Sequence, residues 1–252
     1  MNPTGIARKF IRIYRRLRDR RPLVSVVIPC FNYGRYIEEA IDSVLLQTWK
    51  HIEIVVVDDG SDDPDTLNIL SRLKKPKTHL LRQNNGKLPK ARNMGIRFSS
   101  GKYICCLDAD DKLAPAYLEK CVTRLENENY DICGSWQQNF GDSFLVQIPG
   151  EYSLERLLRE NCLIVASVFR RDMWESVGGY DETMIDGYED WEFWIRMAAA
   201  GARAVTVQEP LFWYRKHGAT MIDEALSRHE HLVTLIQKKY SKLYKLQKNI
   251  SG

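Results

Sequence analysis

In the first half of the chain, the apolar positions alternate between short continuous runs and helical spacing. Leu23–Pro29 is a β-branched run closed by a proline, which predicts a buried strand. From Tyr36 the apolar residues fall at Ile37, Ala40, Ile41, Val44 and Leu45, the spacing of one helix face. Glu53–Val57 predicts a second strand, halted by Asp58-Asp59-Gly60-Ser61. Asp63-Pro64 opens a helix with Leu67, Leu70 and Leu73 on one side. After the polar stretch Asn84-Asn85-Gly86-Lys87, Pro89 opens another helix running through Arg97. Tyr103–Leu107 predicts a further strand, ending at Asp108-Ala109-Asp110-Asp111, and Pro115 starts a helix striped by Leu118, Val122 and Leu125.

This alternation predicts an α/β fold, a mostly parallel sheet flanked by helices, with polar clusters past the carboxyl ends of its strands. Open α/β sheets bind ligands at that edge. Beyond residue 130 the alternation fades. Asp131–Gly150 is expected to be rich in loops, with strand-like Ala166–Arg170 and Val205–Val207, a turn at Gly178-Gly179 and a helix over Glu189–Ala200. Ile222–Leu246 predicts one long terminal helix. No Pro-, Gly- or Ser-rich linker is visible. The expected organisation is a basic helix over 1–21, one two-lobed domain over 22–219 divided near 130, and a C-terminal helix over 220–252.

Composition narrows the class. The chain has 252 residues, 44% hydrophobic and 28% charged, which suits a soluble globular protein. No apolar run approaches the ~18–20 residues of a membrane-spanning helix, and Arg and Lys interrupt the first apolar positions, which argues against a secretory signal. The net charge of +4 is unevenly spread. Residues 1–21 carry eight Lys and Arg against Asp19 alone, and residues 228–252 carry six against Glu230, so the body between them is acidic. That distribution does not suit a nucleic-acid binder. Ile6, Phe10, Ile13, Tyr14 and Leu17 share one helical face opposite the basic residues, a pattern suited to an anionic membrane surface or to docking on protein. Cys30, Cys105, Cys106, Cys121, Cys133 and Cys162 form no C-x-x-C pair and read as small buried hydrophobes in a reducing cytosol.

The chemistry concentrates in the acids. Three carboxylates within Asp108–Asp111 repel one another when ionised, and a hard divalent cation would offset them. A solvated turn is the plain alternative for so short a motif. Asp58-Asp59-Gly60-Ser61 reads either as a helix-capping turn or as a carboxylate facing a polar ligand edge. Arg92 is placed to meet phosphate oxygens, though a surface role is the default. Glu189 and Asp190 sit in a helix's first turn, where the macrodipole favours acids. Trp136, Trp191 and Trp194 are candidates to stack on sugar rings, with core packing as the competing role.

Taken together, these blocks are more specific than any one of them. Val24-Ser25-Val26-Val27-Ile28-Pro29-Cys30-Phe31-Asn32-Tyr33 is followed by Ala40–Thr48, Glu53–Ser61, Ala91-Arg92-Asn93-Met94-Gly95-Ile96, Gly101–Ile104 and Leu107–Asp111. In that order and spacing they resemble the family 2 glycosyltransferases, over about residues 23–217. The resemblance implies a GT-A fold and an inverting, hexosyl-type transfer from a nucleotide-sugar, UDP by family tendency, dependent on Mn2+ or Mg2+. By position, Pro29, Phe31 and Asp59 would hold the nucleobase and Arg92 would lie near the donor phosphates. Asp108 would contact ribose or metal and Asp110 would ligate the metal, with Asp111 a frequent acid of the family. Gly187–Arg196 resembles the segment carrying the catalytic base, which assigns Asp190, with Glu189 as its neighbouring alternative. Tyr214-Arg215-Lys216-His217 resembles a segment whose histidine reaches the metal or diphosphate.

Residues 22–130 would then bind the nucleotide and residues 131–219 the acceptor, a glycan or lipid-linked hydroxyl. The expected setting is cytoplasmic, at the inner face of a membrane if residues 1–21 dock there. A sugar nucleotidyltransferase would want a Gly-rich basic loop where Pro29–Tyr33 stands, and a dinucleotide oxidoreductase would want G-x-G-x-x-G. A non-catalytic nucleotide-sugar-binding scaffold would have no need of the full set of acids.

Overall fold

The computed structural model describes residues 21–218 and 221–250; the basic segment expected to form a helix before residue 21 lies outside the described residues. The core is a nine-stranded sheet. Its first half is parallel: β1 (Val24–Cys30), β2 (Ile52–Asp58), β3 (Thr78–Arg82) and β4 (Tyr103–Cys106) lie in the order β3-β2-β1-β4. The second half adds β5 (Lys112–Leu113), β6 (Ile132–Gly141), β7 (Val146–Gln147), β8 (Val168–Arg170) and β9 (Ala204–Lys216), continuing as β8-β6-β9-β5 with β7 paired to β6. Every antiparallel pairing involves a strand of this half, and β4–β8 joins it to the first.

The pleat divides the core in two. Val24, Val26 and Ile28 face one side, packed under α1 (Gly34–Leu45), α2 (Pro64–Arg72) and α4 (Tyr117–Asn127). Val27, Val55 and Val57 face the other, under α3 (Leu88–Phe98) and, later in the chain, α5 (Leu154–Leu157), α6 (Arg171–Ser176) and α7 (Glu189–Ala199). Strands buried on both faces carry continuous apolar runs, which is why these were readable as strands. The helix starts have local causes. Asp63 caps α2, its Oδ2 accepting from Thr66 N at 2.8 Å, and Pro64 supplies the preset φ of a first turn.

Two expectations for the later chain are corrected. Asp131–Gly150 is not mainly loop. It holds β6, ten residues long, in the middle of the sheet. A bulge around Ser135–Gln137 interrupts its alternation, and buried Ser135 and Asn139 give it a polar signature. The terminal helix is three helices, α8 (Met221–Ser227), α9 (His229–Lys239) and α10 (Ser241–Ile250), breaking at Arg228 and Tyr240. The break lets Tyr240 turn its hydroxyl onto Glu192 of α7. All six cysteines are free and buried, as expected. No helix among the described residues is long and apolar enough to cross a membrane.

Register positions the rim. Cys30 pairs with Asp58 and Val27 with Cys106, so the segments after β1, β2 and β4 leave the sheet side by side. β5 turns back against β9, pairing Lys112 with Trp213, which brings the end of β9 onto the acids that follow β4.

Candidate active site

Three acids follow β4, each in a different environment. Asp108 is partly exposed and accepts from Arg92 Nη2 at 2.9 Å. Asp110 Oδ2 lies 2.9 Å from His217 Nε2. Asp111 is buried, its Oδ1 accepting from the Arg215 backbone N–H at 2.8 Å while its Oδ2 has no partner. Burial, then the charge of Asp108, raises the Asp110 pKa, partly opposed by the His217 hydrogen bond. Burial, then Asp110 and Asp108, pushes Asp111 well above the carboxylate range. The cluster is short of positive charge, and the orphaned Asp111 oxygen is its sharpest sign.

Those features fit a divalent cation. Among the described residues no group of three or more His, Cys, Asp or Glu side chains is arranged to hold a metal ion. The available donors are Asp110 and His217, with Asp108 alongside. So sparse a set suits Mg2+ or Mn2+ sharing its shell with phosphate oxygens, and not a closed all-protein cage. Tyr33 and Tyr36 enclose the imidazole, with ring centroids 5.8 and 5.0 Å from that of His217.

A second corner lies past β1 and β2. Pro29 is buried within β1, whose buried run ends at Cys30, and Phe31, just beyond, stands 41% exposed. Asn32 adopts a left-handed φ of 58° and ties this turn to the next, its Oδ1 accepting from Asp62 N and Asp63 N at 3.0 Å. Asp59 is buried. Gln83 Nε2 at 2.6 Å and Gly86 N at 2.8 Å both donate to its Oδ1. Gly60 permits this closure: it has φ +76°, and a Cβ there would lie 2.6 Å from Asn85 N. The result is an exposed aromatic face beside an oriented carboxylate, a shape suited to a planar heterocycle with polar edges.

The third part faces the first two. Arg92, 1% exposed on α3, donates Nη2 to Asp108 and Nη1 to Glu189 at 2.5 Å. The sequence placed this guanidinium near donor phosphates; here it is enclosed and both ends are taken by carboxylates. It links the acid past β4 to the start of α7. Glu189 is buried in that ion pair, whereas Asp190 is half-buried. Asp190 Oδ1 accepts from Trp191 N at 2.7 Å and its Oδ2 from Asn161 Nδ2 at 3.1 Å. Burial first, then the Glu189 charge, raises the Asp190 pKa to about 7. A carboxyl titrating near neutrality at the rim is suited to accepting a proton. Of the two acids, the geometry favours Asp190.

The tryptophans divide. Trp194 and Trp191 are core residues, Trp191 Nε1 donating to Leu157 O at 2.6 Å, so neither offers a face to a ligand. Trp136 stays partly exposed at the bulge of β6. The sequence gives no signal for Asn161 or Gln83, and it offers Arg215 only as a neighbour of His217, without a role of its own. Each acts through a contact between segments distant in sequence.

Comparison with known proteins follows the same lines. Residues 25–176 match the family model described as glycosyl transferase family 2. Over 203 residues the chain is 29% identical to a hyaluronan synthase of Pasteurella multocida, covering 78% of this chain and 21% of that protein. Among solved structures, S. aureus TarS residues 1–349 in complex with UDP-GlcNAc superposes with a TM-score of 0.67 at 20% identity, covering 79% of this chain and 60% of that one. The mannosyltransferase PcManGT of Pyrobaculum calidifontis, solved with GDP-Man and Mn2+, gives 0.65 at 22% identity, covering 85% and 63%. At these identities the structural likeness is one of fold, the GT-A arrangement of a curled sheet between helices. The chain spans about a fifth of the synthase and less than two-thirds of each solved chain.

Proposed function

The chain belongs to glycosyl transferase family 2, and from that premise we propose that it moves a sugar, with inversion, from a UDP-linked donor to a hydroxyl of a glycan or lipid-linked acceptor in polysaccharide synthesis. The observation that carries this reading is the Asp108–Arg92–Glu189 bridge, which sets the rim acids and the half-buried Asp190 on one shared support.

In this reading Phe31 stacks on the nucleobase, beside Pro29, and Asp59 accepts from its polar edge. Asp108 would meet the ribose or the ion, and Asp110 with His217 would hold Mn2+ or Mg2+ near the diphosphate. Bound there, the ion would supply positive charge to offset what develops on the departing diphosphate. Asp190, ionised, takes the proton of the acceptor hydroxyl as it attacks the anomeric carbon from the face opposite the leaving group. One displacement inverts that centre. Arg92 holds Asp108 in place and keeps Glu189 out of the acceptor's reach. The neighbour solved with UDP-GlcNAc supports the choice of UDP, and the one solved with GDP-Man and Mn2+ supports a divalent ion.

The basic, amphipathic sequence of residues 1–21 suits an anionic inner membrane face, where a lipid-linked acceptor would be met. Pelleting with anionic vesicles, with and without those residues, tests that part; equal, salt-insensitive pelleting contradicts it. The activity itself is tested by screening UDP- and GDP-sugars for nucleotide release with Mn2+, Mg2+ or EDTA. Metal-dependent release from a UDP-sugar is expected; release from none of them, with no nucleotide bound, overturns the reading.

A further inference from the structure

The residue before Glu189 and Asp190 is in an unusual state. Tyr188 has φ 60° and ψ 19°, a left-handed conformation that a bulky side chain rarely holds unaided. It is also the N-cap of α7, its carbonyl accepting from Glu192 N at 2.9 Å. Its backbone therefore sets the direction in which the first turn of α7, Asp190 included, points into the rim.

What holds Tyr188 comes from the C-terminal helices. Its hydroxyl lies 2.8 Å from His229 Nδ1 on α9, and its ring packs edge-on against Trp191 and His229, with centroids 5.3 and 5.8 Å apart. Gly187, at φ +117°, lies so close to α8 that a Cβ would come within 2.8 Å of that of Ala225. One turn into α7, fully buried Glu192 is paired with Lys239 and accepts from the Tyr240 hydroxyl. All of these C-terminal partners lie beyond the stretch that matches the family.

We propose that α8 and α9 form a clamp on the Gly187–Tyr188 turn, with His229 as the positioning residue that holds Asp190 at its working angle. The inference rests on Asp190 being the base. The hydrogen bond to Tyr188 and the edge contact fix the ring, the ring fixes the strained turn, and the turn aims the carboxyl.

The test uses the full chain and four variants: Tyr188→Phe, His229→Leu, their combination, and His229→Asn, whose amide oxygen can accept in place of Nδ1. Release of UDP from UDP-GlcNAc with Mn2+ is followed alongside UDP binding and amide hydrogen exchange over 186–192. Tyr188→Phe and His229→Leu should each lower kcat about five- to tenfold, with KM and UDP affinity unchanged. The combination should be no slower than either, His229→Asn should stay near the parent, and exchange over 186–192 should accelerate only in the impaired variants. If His229→Leu loses UDP binding and so fails to fold, Tyr188→Phe, which lacks one oxygen, decides. Parental kcat and exchange in Tyr188→Phe, or losses that add in the combination, overturn the clamp. Should Asp190→Asn keep full activity, the base assignment fails instead, and hydrogen exchange alone then decides whether the clamp exists.

Discussion

Replacing Arg92 with Met probes the support under the whole site. The guanidinium is 1% exposed and neutralises Glu189, itself 4% exposed, at 2.5 Å, and Asp108 at 2.9 Å. Methionine fills a similar volume but strands the Glu189 charge in a buried site. Breaking a buried pair from one side costs ~3–5 kcal/mol, against a total stability of ~5–15 kcal/mol. For a chain of this size that corresponds to a melting point lower by ~6–20 °C. Urea unfolding followed by circular dichroism measures it, with the slope checked for two-state behaviour. The discriminating control is Glu189→Gln added to Arg92→Met. Removing the stranded charge should recover a large part of the loss, so the two changes are strongly non-additive. A single-variant loss under ~1 kcal/mol, or a double variant equal to the sum of the singles, would refute the reasoning.

Asp190→Asn should bind UDP like the parent while losing ~100-fold or more of transfer, checked by kinetics and calorimetry. In the parent, kcat should fall as pH drops through about 7, because burial holds the Asp190 pKa there and only the ionised form accepts a proton. The same raised value means this carboxyl favours folding when protonated and loses that contribution as pH rises from ~4, its unfolded value, to about 7. Asp190→Asn should therefore unfold at higher urea than the parent at pH 8. Phe31→Ala should weaken UDP binding by ~0.5–1.5 kcal/mol without altering stability, since the ring is 41% exposed. Gly60→Ala should loosen the loop that carries Gln83 and Gly86, read as faster hydrogen exchange over 83–86 and weaker UDP binding.

The strands of the parallel half were legible because each is buried on both faces and so runs apolar without interruption. The acids were legible because they stand immediately past those strands. β3 was not, being a mostly exposed strand at the sheet's edge whose residues need not be apolar. β6 hid for a different reason: its bulge breaks the period, and its buried Ser135 and Asn139 read as loop. In the site, residue type marked the acids past the strands, and the family resemblance singled out Asp59, Asp110 and, over Glu189, Asp190. Residue type alone does not separate Asp190 from Glu189, because the Arg92 ion pair that engages Glu189 is made across 97 positions of sequence. The breaks at Arg228 and Tyr240 were not legible because they serve contacts distant in sequence, Arg228 with Asp186 and Tyr240 with Glu192 of α7, and leave the amphipathic spacing of the helices nearly intact.

The central claim is that the rim acids hold a donor's diphosphate through a divalent ion. Calorimetric titration of UDP into the parent and into Asp110→Asn, each with Mn2+ and with EDTA, tests it most directly. Tight binding is expected only for the parent with Mn2+, and weak, Mn2+-insensitive binding for the variant. Equal affinity in all four titrations, or an Asp110→Asn variant that keeps the full Mn2+ effect, would contradict it.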